Sequence, residues 1–102
     1  MDLRNKNIIV TGGASGLGEA LALEFLKKDA NVLISDINSK NLKVTANKLE
    51  CEFEYCDVSK EKDVKNLVEK TFKRFGNIDI FCSNAGVVSK SKKINFIEEN
   101  NC

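Results

Sequence analysis

The sequence contains no histidine. Histidine is the usual side chain for acid–base catalysis near neutral pH, so catalysis by histidine is excluded for this chain. Cysteine is present at positions 51, 56, 82 and 102 but forms no C-x-x-C pair, and zinc sites usually need such clustering. Cys51, Cys56 and Cys82 fall in predicted strands or at strand edges, where we predict buried, reduced thiols rather than a metal site or a disulfide.

Long apolar runs and an excess of one charge are also absent. No run approaches the roughly 20 apolar residues of a membrane span, and residues 1–7 are too polar for a signal peptide. The net charge of +1 argues against broad electrostatic binding to nucleic acid or to an anionic membrane. We therefore expect a cytoplasmic protein. A length of 102 residues, with 42% hydrophobic and 30% charged residues, is that of one small globular domain.

The most informative stretch is the glycine-rich segment VTGGASGLG at residues 10–18. It follows an apolar run and leads into a helical pattern, which predicts a strand, a turn and a helix. Such a turn directs unpaired backbone N–H groups and the positive end of the helix dipole at one point, an arrangement that suits a pyrophosphate. The glycine spacing is G-x-x-x-G-x-G, not the G-x-G-x-x-G of many dehydrogenases. The candidate residues of this turn are Gly12, Ser15, Gly16, Leu17 and Gly18.

Strand and helix patterns alternate along the chain as far as residue 84. The predicted strands are residues 7–11, 31–36, 52–56 and 78–84, and the predicted helices are 17–28, 39–49 (capped by Asn38 or Ser39) and 60–75. The first strand is apolar throughout, as in a sheet covered on both faces, and the third alternates, as at a sheet edge. Short connections between such units predict right-handed βαβ crossovers. The predicted fold is α/β, the N-terminal part of a doubly wound Rossmann fold with a parallel sheet in the order 3-2-1-4.

Apolar repeats predict which helix faces pack on this sheet. The second helix repeats Leu42, Thr45, Ala46 and Leu49, and the third repeats Val64, Leu67, Val68, Thr71, Phe72 and Phe75. We predict that Ser59 caps the third helix and that Gly76 ends it. Two helices then cover one face and only one covers the other, so we expect strands one and four to leave an uncovered face and an exposed edge. Such a surface favours association with a second copy or another protein.

Asp36 ends the second predicted strand, 18 positions beyond Gly18. A carboxylate there can hydrogen-bond both ribose hydroxyls of an adenosine and repel a 2′-phosphate. Ser15 and Ile37 occupy the two places where a basic residue would favour NADP, and neither is cationic. The pattern therefore predicts NAD as the cofactor, with Ile37 beside the adenosine. The alternative, that Asp36 only begins a turn, is weaker at this spacing.

Two further segments end strands at the same edge of the predicted sheet. Asp57 can accept a hydrogen bond from an adenine amino group while Val58 packs on the ring, although an aspartate before a helix is equally well explained as a capping feature. Asn84, Ala85 and Gly86 end strand four, beside strand one, where ligands bind in such sheets. Small residues there let a cofactor ribose approach. Beyond them the pattern stops, so we predict a truncated dinucleotide-binding domain at residues 1–88 and a polar, frayed tail at 89–102.

Together these segments resemble the short-chain dehydrogenase/reductase family. Residues 11–18 are similar to its T-G-x-x-x-G-x-G turn, Asp36 to its NAD-selecting acid, Asp57 with Val58 to its adenine-side pair, and residues 84–86 to its N-A-G segment. Ser83 departs from the pattern, since the family usually has an asparagine there. The resemblance covers roughly residues 5–88. It implies that the complete protein is an NAD-dependent oxidoreductase acting on an alcohol or a carbonyl.

The resemblance implies no catalytic residue within this chain. The family uses a tyrosine, a lysine four residues later, a serine and usually an asparagine, all beyond the N-A-G segment. The only tyrosine here is Tyr55, inside a predicted strand, and the position four later is Ser59. We therefore expect the NAD-binding half of such an enzyme without its catalytic half. The alternatives are a catalytically inactive module that binds NAD or dimerises, and a non-enzymatic interaction module whose glycine turn is only structural.

Overall fold

A computed structural model describes residues 2–83, which form one parallel sheet and three helices. The strands are β1 (Asn7–Thr11), β2 (Asn31–Asp36), β3 (Glu52–Tyr55) and β4 (Ile80–Ser83), and the helices are α1 (Gly16–Lys27), α2 (Ser39–Leu49) and α3 (Glu61–Phe75). The strand order is β3-β2-β1-β4, and all three strand pairs are parallel. The predicted α/β fold and strand order are confirmed.

The helices lie on both faces of the sheet because successive side chains of a strand point to opposite sides. Strand β1 is buried at all five positions. Ile8 packs in one apolar cluster with Ala22 of α1 and Leu42 of α2. Its neighbour Ile9 packs in a second cluster with Leu67 of α3. The predicted division, with two helices on one face and one on the other, is therefore present.

The prediction of an uncovered sheet face is wrong for the residues that the structure describes. Ile9, Phe81 and Cys82 are 0%, 2% and 0% exposed. Ile9 of β1, Leu33 of β2 and Phe81 of β4 share a cluster with Val64 of α3, because this 15-residue helix packs across all three strands. Helix α3 thus covers Ile9 and Phe81, which were expected to lack cover, whereas Cys82 packs in the cluster on the opposite face. Strand β4 does form an edge of the described sheet, as predicted.

The beginnings of α2 and α3 are stabilised differently. The Asn38 side chain caps α2 and accepts a backbone N–H of its first turn at 3.0 Å, as predicted. At α3 the N-cap is Lys60, which makes no side-chain capping bond. The Ser59 hydroxyl instead donates to Oδ1 of Asp57 at 2.7 Å. The predicted serine cap is therefore wrong, because α3 begins one residue later than predicted and Lys60 occupies the N-cap position. Helix α3 ends at Gly76, as predicted.

The buried stripe of α3 is narrower than its apolar pattern. Val64, Leu67 and Thr71 are buried, whereas the predicted core residue Phe72 is 50% exposed. Phe72 follows Thr71 by one position and is therefore turned by about 100° around the helix, which takes it off the line of contact with the sheet. The predicted stripe is correct at its centre and wrong at this edge.

The predicted burial of the cysteines is confirmed, but the predicted redox state is wrong for one of them, Cys82. Cys51 and Cys56 are free thiols, half-buried and buried respectively. Burial raises the pKa of each of these thiols to about 11. Cys82 is fully buried and disulfide-bonded. The prediction of a reduced thiol is thus wrong at Cys82, because spacing along a sequence does not show which sulfur atoms meet.

Asparagine side chains join the amino ends of the central strands. Asn7, which is 7% exposed, donates from Nδ2 to Oδ1 of Asn77. Asn31 donates from Nδ2 to Oδ1 of Asn7 at 2.9 Å, and the Asn7 backbone N–H donates to Oδ2 of Asp79 at 2.8 Å. These bonds connect the start of β1 to the start of β2 and to the segment before β4. They therefore help to set the register that aligns the opposite ends of the strands.

Candidate functional site

The carboxyl ends of the four strands meet at one edge of the sheet. Thr11 pairs with Ser35 and with Ser83, and Asp36 pairs with Tyr55. The glycine turn after β1, the acid at the end of β2 and the Asp57 segment after β3 therefore lie at the same edge. The chain leaves β1 toward β2 on one side, while β4 lies on the other side. Ligands of doubly wound folds bind at such a switch point.

The glycine turn exposes the amino end of α1. Gly12 has a φ of 65° and Gly16 a φ of 58°, in the left-handed region that glycine adopts without steric cost. Ser15 is the N-cap, in extended conformation, and makes no side-chain capping bond. The first N–H groups of a helix have no partner within it, and they carry the positive end of its dipole. Ser15, Gly16 and Leu17 are all exposed, so this end of α1 is open to an anion.

Gly13 is a residue of the turn that the sequence analysis missed. A Cβ atom at Gly13 would lie 2.7 Å from Cβ of Ile34 and 2.9 Å from its Cγ2, both closer than carbon atoms pack. The turn therefore passes directly against β2. The Gly13 N–H donates to the Ser35 carbonyl at 3.0 Å. The sequence feature that could have indicated Gly13 is that it directly follows Gly12, whereas the G-x-x-x-G-x-G spacing assigns a role to Gly12 and not to Gly13.

The Asp36 carboxylate links the turn to the end of β2. Its Oδ2 accepts the Ala14 backbone N–H at 3.1 Å, and its Oδ1 accepts the Asn38 backbone N–H at 3.0 Å. The negative charge is thus held directly beside the glycine turn. Leu17 in the first turn of α1 and Ile37 directly after Asp36 have exposed apolar side chains, 64% and 58% exposed. The site therefore combines a helix amino end, a fixed carboxylate and two exposed apolar groups.

Thr45 of α2 also contacts the turn, which the sequence analysis did not foresee. Its hydroxyl donates to the Ala14 carbonyl at 3.0 Å. Thr45 is 5% exposed and Ala14 is 6% exposed, so this hydrogen bond is shielded from water. The sequence pattern assigned Thr45 only to the apolar stripe of α2. The feature that could have indicated this contact is that Thr45 has a hydroxyl group within an otherwise apolar stripe.

Asp57 lies in the turn between β3 and α3. Its Oδ1 accepts the backbone N–H of Ser59 at 3.0 Å and the Ser59 hydroxyl at 2.7 Å. These hydrogen bonds hold the pKa of the Asp57 carboxyl below its usual range. Val58 is half-buried against the α3 cluster. The predicted residues Asn84, Ala85 and Gly86 lie outside the described residues.

Residues 2–83 contain neither a cluster of metal-ligating side chains nor a helix that could cross a membrane. Within that range, no group of three or more histidine, cysteine, aspartate or glutamate side chains is placed to hold a metal ion. No helix in the same range combines the length and apolar character needed to cross a membrane. The polar groups that the described residues bring together at the carboxyl edge are therefore backbone N–H donors, hydroxyls and the carboxylates of Asp36 and Asp57.

Residues 6–102 match the family model described as short chain dehydrogenase. The chain belongs to the short-chain dehydrogenase family. It is 43% identical over 93 residues to a (+)-cis,cis-nepetalactol synthase of Nepeta racemosa, covering 87% of this chain and 34% of that protein. It is 43% identical over 88 residues to tropinone reductase-like 1 of Erythroxylum coca, covering 84% and 32%. The chain thus spans about a third of the length of these curated relatives.

Solved structures of short-chain dehydrogenases share the fold. The 3-ketoacyl-(acyl-carrier-protein) reductase of Brucella melitensis, complexed with NADH, superposes with a TM-score of 0.75 at 34% identity over 78% of this chain and 34% of its own. The RhlG protein of Pseudomonas aeruginosa, in an active-site complex with NADP, has a TM-score of 0.78 at 28% identity, covering 84% and 36%. Structures similar to this chain therefore include one bound to NADH and one bound to NADP.

Proposed function

We propose that this chain binds NAD and forms the cofactor-binding part of an oxidoreductase of the short-chain dehydrogenase type. The observation that carries the proposal is the hydrogen bond from the Ala14 N–H to Oδ2 of Asp36. It places an acid that suits ribose hydroxyls beside N–H groups that suit a diphosphate. Adenosine and diphosphate are adjacent in a dinucleotide, so one ligand can engage both at once.

In this proposal each part of the cofactor has a partner. The diphosphate binds the turn formed by Gly12, Ser15, Gly16, Leu17 and Gly18. The adenosine ribose binds Asp36, and the adenine ring lies between Ile37 and Val58, with its amino group donating to Asp57. The ribose on the nicotinamide side approaches residues 84–86, at the segment that follows β4.

The charge of Asp36 supports NAD rather than NADP. A 2′-phosphate would lie beside this carboxylate, and like charges that close repel each other strongly. Ser15 and Ile37, the nearby positions where a cation would compensate, are both uncharged. Because similar structures hold either NADH or NADP, the preference rests on these three residues.

Hydride transfer to or from an alcohol or carbonyl is proposed for a longer form of the protein. Tyr55 lies in β3, and Ser59, four residues later, is bonded to Asp57, so this pair does not supply the family's tyrosine and lysine. We propose that residues 1–88 form the cofactor-binding unit, that 89–102 form a tail, and that the protein is cytoplasmic.

Isothermal titration of the whole chain with NAD and with NADP tests the proposal. The wild type is expected to bind NAD more tightly than NADP. Asp36→Asn is expected to weaken NAD binding about tenfold, because the ribose loses a charged acceptor, and to reduce the preference over NADP by a similar factor. Asparagine also replaces one of the two carboxylate oxygens by an NH₂ group, which would face either the Ala14 or the Asn38 N–H without accepting from it.

Glu24→Gln is the matched control, since it removes one negative charge from the exposed face of α1. It is expected to leave both dissociation constants within about twofold, as distant exposed charges are screened. Failure of the wild type to bind either dinucleotide at millimolar concentration would sink the proposal. Equal losses in the two variants would show that net charge, not the position of Asp36, governs binding.

A further inference from the structure

We propose that Thr45, on α2, is a positioning residue that orients the Ser15 N–H toward the diphosphate. The inference rests on the proposed function for the identity of the ligand. Thr45 lies outside the glycine turn and outside β1 and α1, the two elements that the turn connects. It starts from a buried hydrogen bond between two elements, from Thr45 Oγ1 to the Ala14 carbonyl at 3.0 Å.

Both backbone polar groups of Ala14 are held by side chains that come from beyond the turn. Oδ2 of Asp36 accepts its N–H at 3.1 Å, and Thr45 donates to its carbonyl. The Gly13 N–H is bonded to the Ser35 carbonyl in addition. Three hydrogen bonds therefore hold residues 13 and 14, two from β2 and one from α2, and only that from Thr45 reaches the peptide group between Ala14 and Ser15.

The direction of that peptide group decides where a donor points. In a trans peptide the C=O and the N–H point in opposite directions, and no cis peptide is present in the described chain. Thr45 holds the Ala14 carbonyl toward the buried side of α2. The Ser15 N–H of the same peptide group is therefore directed to the opposite, exposed side, at the amino end of α1. A donor fixed before binding costs less ordering entropy when an anion arrives.

An ion pair between α2 and α1 does not serve this purpose. Lys48 pairs with Glu19 at 2.6 Å, but the Lys48 side chain is 66% exposed, and exposed ion pairs hold geometry weakly. Thr45 is 5% exposed, and a hydrogen bond shielded from water is more costly to break. Valine at position 45 would keep the shape of threonine and leave the Ala14 carbonyl without this donor.

The test compares Thr45→Val, Thr45→Ser and Thr71→Val in the whole chain. Thr71 is the matched control, because its buried hydroxyl donates to the Leu67 carbonyl of its own helix, away from the turn. The probes are ADP-ribose, which contains the diphosphate, and adenosine, which does not. Binding is followed by NMR shift titration, which also reports the Ser15 amide directly.

Thr45→Val is expected to weaken ADP-ribose binding about tenfold and adenosine binding by less than about twofold. Thr45→Ser and Thr71→Val are expected to stay within about twofold of the wild type for both ligands. Equal weakening of both ligands by Thr45→Val, or no weakening at all, would overturn the proposal. So would equal losses in Thr45→Ser and Thr45→Val, because the methyl group rather than the hydroxyl would then matter.

Amide hydrogen exchange in the free protein separates this inference from the proposed function. If the wild type binds neither ligand, NAD binding is refuted. Exchange of the Ala14 N–H, which is hydrogen-bonded to Asp36, still tests whether the Thr45 hydroxyl holds the turn in place. About tenfold faster exchange in Thr45→Val than in Thr71→Val supports it, and equal rates overturn it. If Thr45→Val does not fold, Thr45→Ser decides: wild-type exchange supports the hydroxyl's role, and exchange raised as much as by unfolding refutes it.

Discussion

Gly13 lies so close to Ile34 that a Cβ atom on the glycine would approach the Cβ atom of Ile34 to 2.7 Å. The contact joins the turn after β1 to the middle of the neighbouring strand. Gly16, three residues later, has no such neighbour within 4 Å of the place that a Cβ atom would occupy, but its φ is 58°. Two glycines of the same turn are thus required for different physical reasons, one for space and one for backbone conformation.

Because the two glycines are required for different reasons, alanine and asparagine substitutions should rank in opposite order of stability at Gly13 and at Gly16. At Gly13, alanine is expected to lower the free energy of unfolding by about 1 to 3 kcal/mol, and the larger asparagine by more, because both overpack against Ile34. At Gly16, alanine is expected to cost about 1 to 2 kcal/mol and asparagine less, because asparagine tolerates the left-handed region. Urea unfolding of the four variants measures this. The same ranking at both sites would contradict the distinction.

Asn7 is expected to stabilise the sheet through its side-chain bonds to Asn31 and Asn77. Asn7→Ala should lower the free energy of unfolding by about 1 to 3 kcal/mol, because it leaves polar partners unsatisfied in a partly buried place. Asn41→Ala, on the exposed first turn of α2, is the control and should be neutral or slightly stabilising, since alanine favours helices. Urea unfolding that finds equal effects in the two variants would show that the Asn7 network contributes nothing.

The raised pKa of the Cys56 thiol predicts that the folded chain loses stability at alkaline pH. Burial raises its pKa from 9.0 to about 11, so the folded chain keeps the proton while the unfolded chain releases it. Stability from this thiol is therefore complete below about pH 9 and is lost as the pH rises toward 11, by of order 2 kcal/mol. Cys56→Ala lacks this thiol but retains every other titrating group. The free energy of unfolding of the wild type should thus fall more steeply than that of the variant over this range, and parallel profiles would refute the assignment.

The elements of the fold were readable from local patterns, with errors at their ends. The apolar run of β1 and the alternation of β3 correctly predicted a central and an edge strand. Ser59 was misassigned as a cap, because local patterns do not determine the first residue of a helix to within one position and Lys60 is the N-cap. Phe72 was misassigned to the core, because an apolar stripe does not reveal how wide a strip of the helix contacts the sheet.

The candidate site was readable where a residue acts through its own chemistry. Asp36 and the glycine spacing predicted a carboxylate and an anion-binding turn at one edge of the sheet, and the hydrogen bond from Ala14 to Asp36 brings these two features together. Thr45 was missed because its partner, the Ala14 carbonyl, lies 31 positions away and is a backbone atom. Patterns of side-chain type carry no information about such a partner.

The sequence by itself determined the α/β class, the strand order and the type of turn after β1, because these follow from periodicity, connection length and the conformational range of glycine. Only the tertiary structure decided that α3 covers β1, β2 and β4 together, and that Asp36 and Thr45 hold Ala14 from two sides. The packing of α3 on the sheet and the hydrogen bonds to Ala14 both depend on distances between segments that are remote in sequence. Those distances are set when the helices pack on the sheet, and local patterns do not contain them.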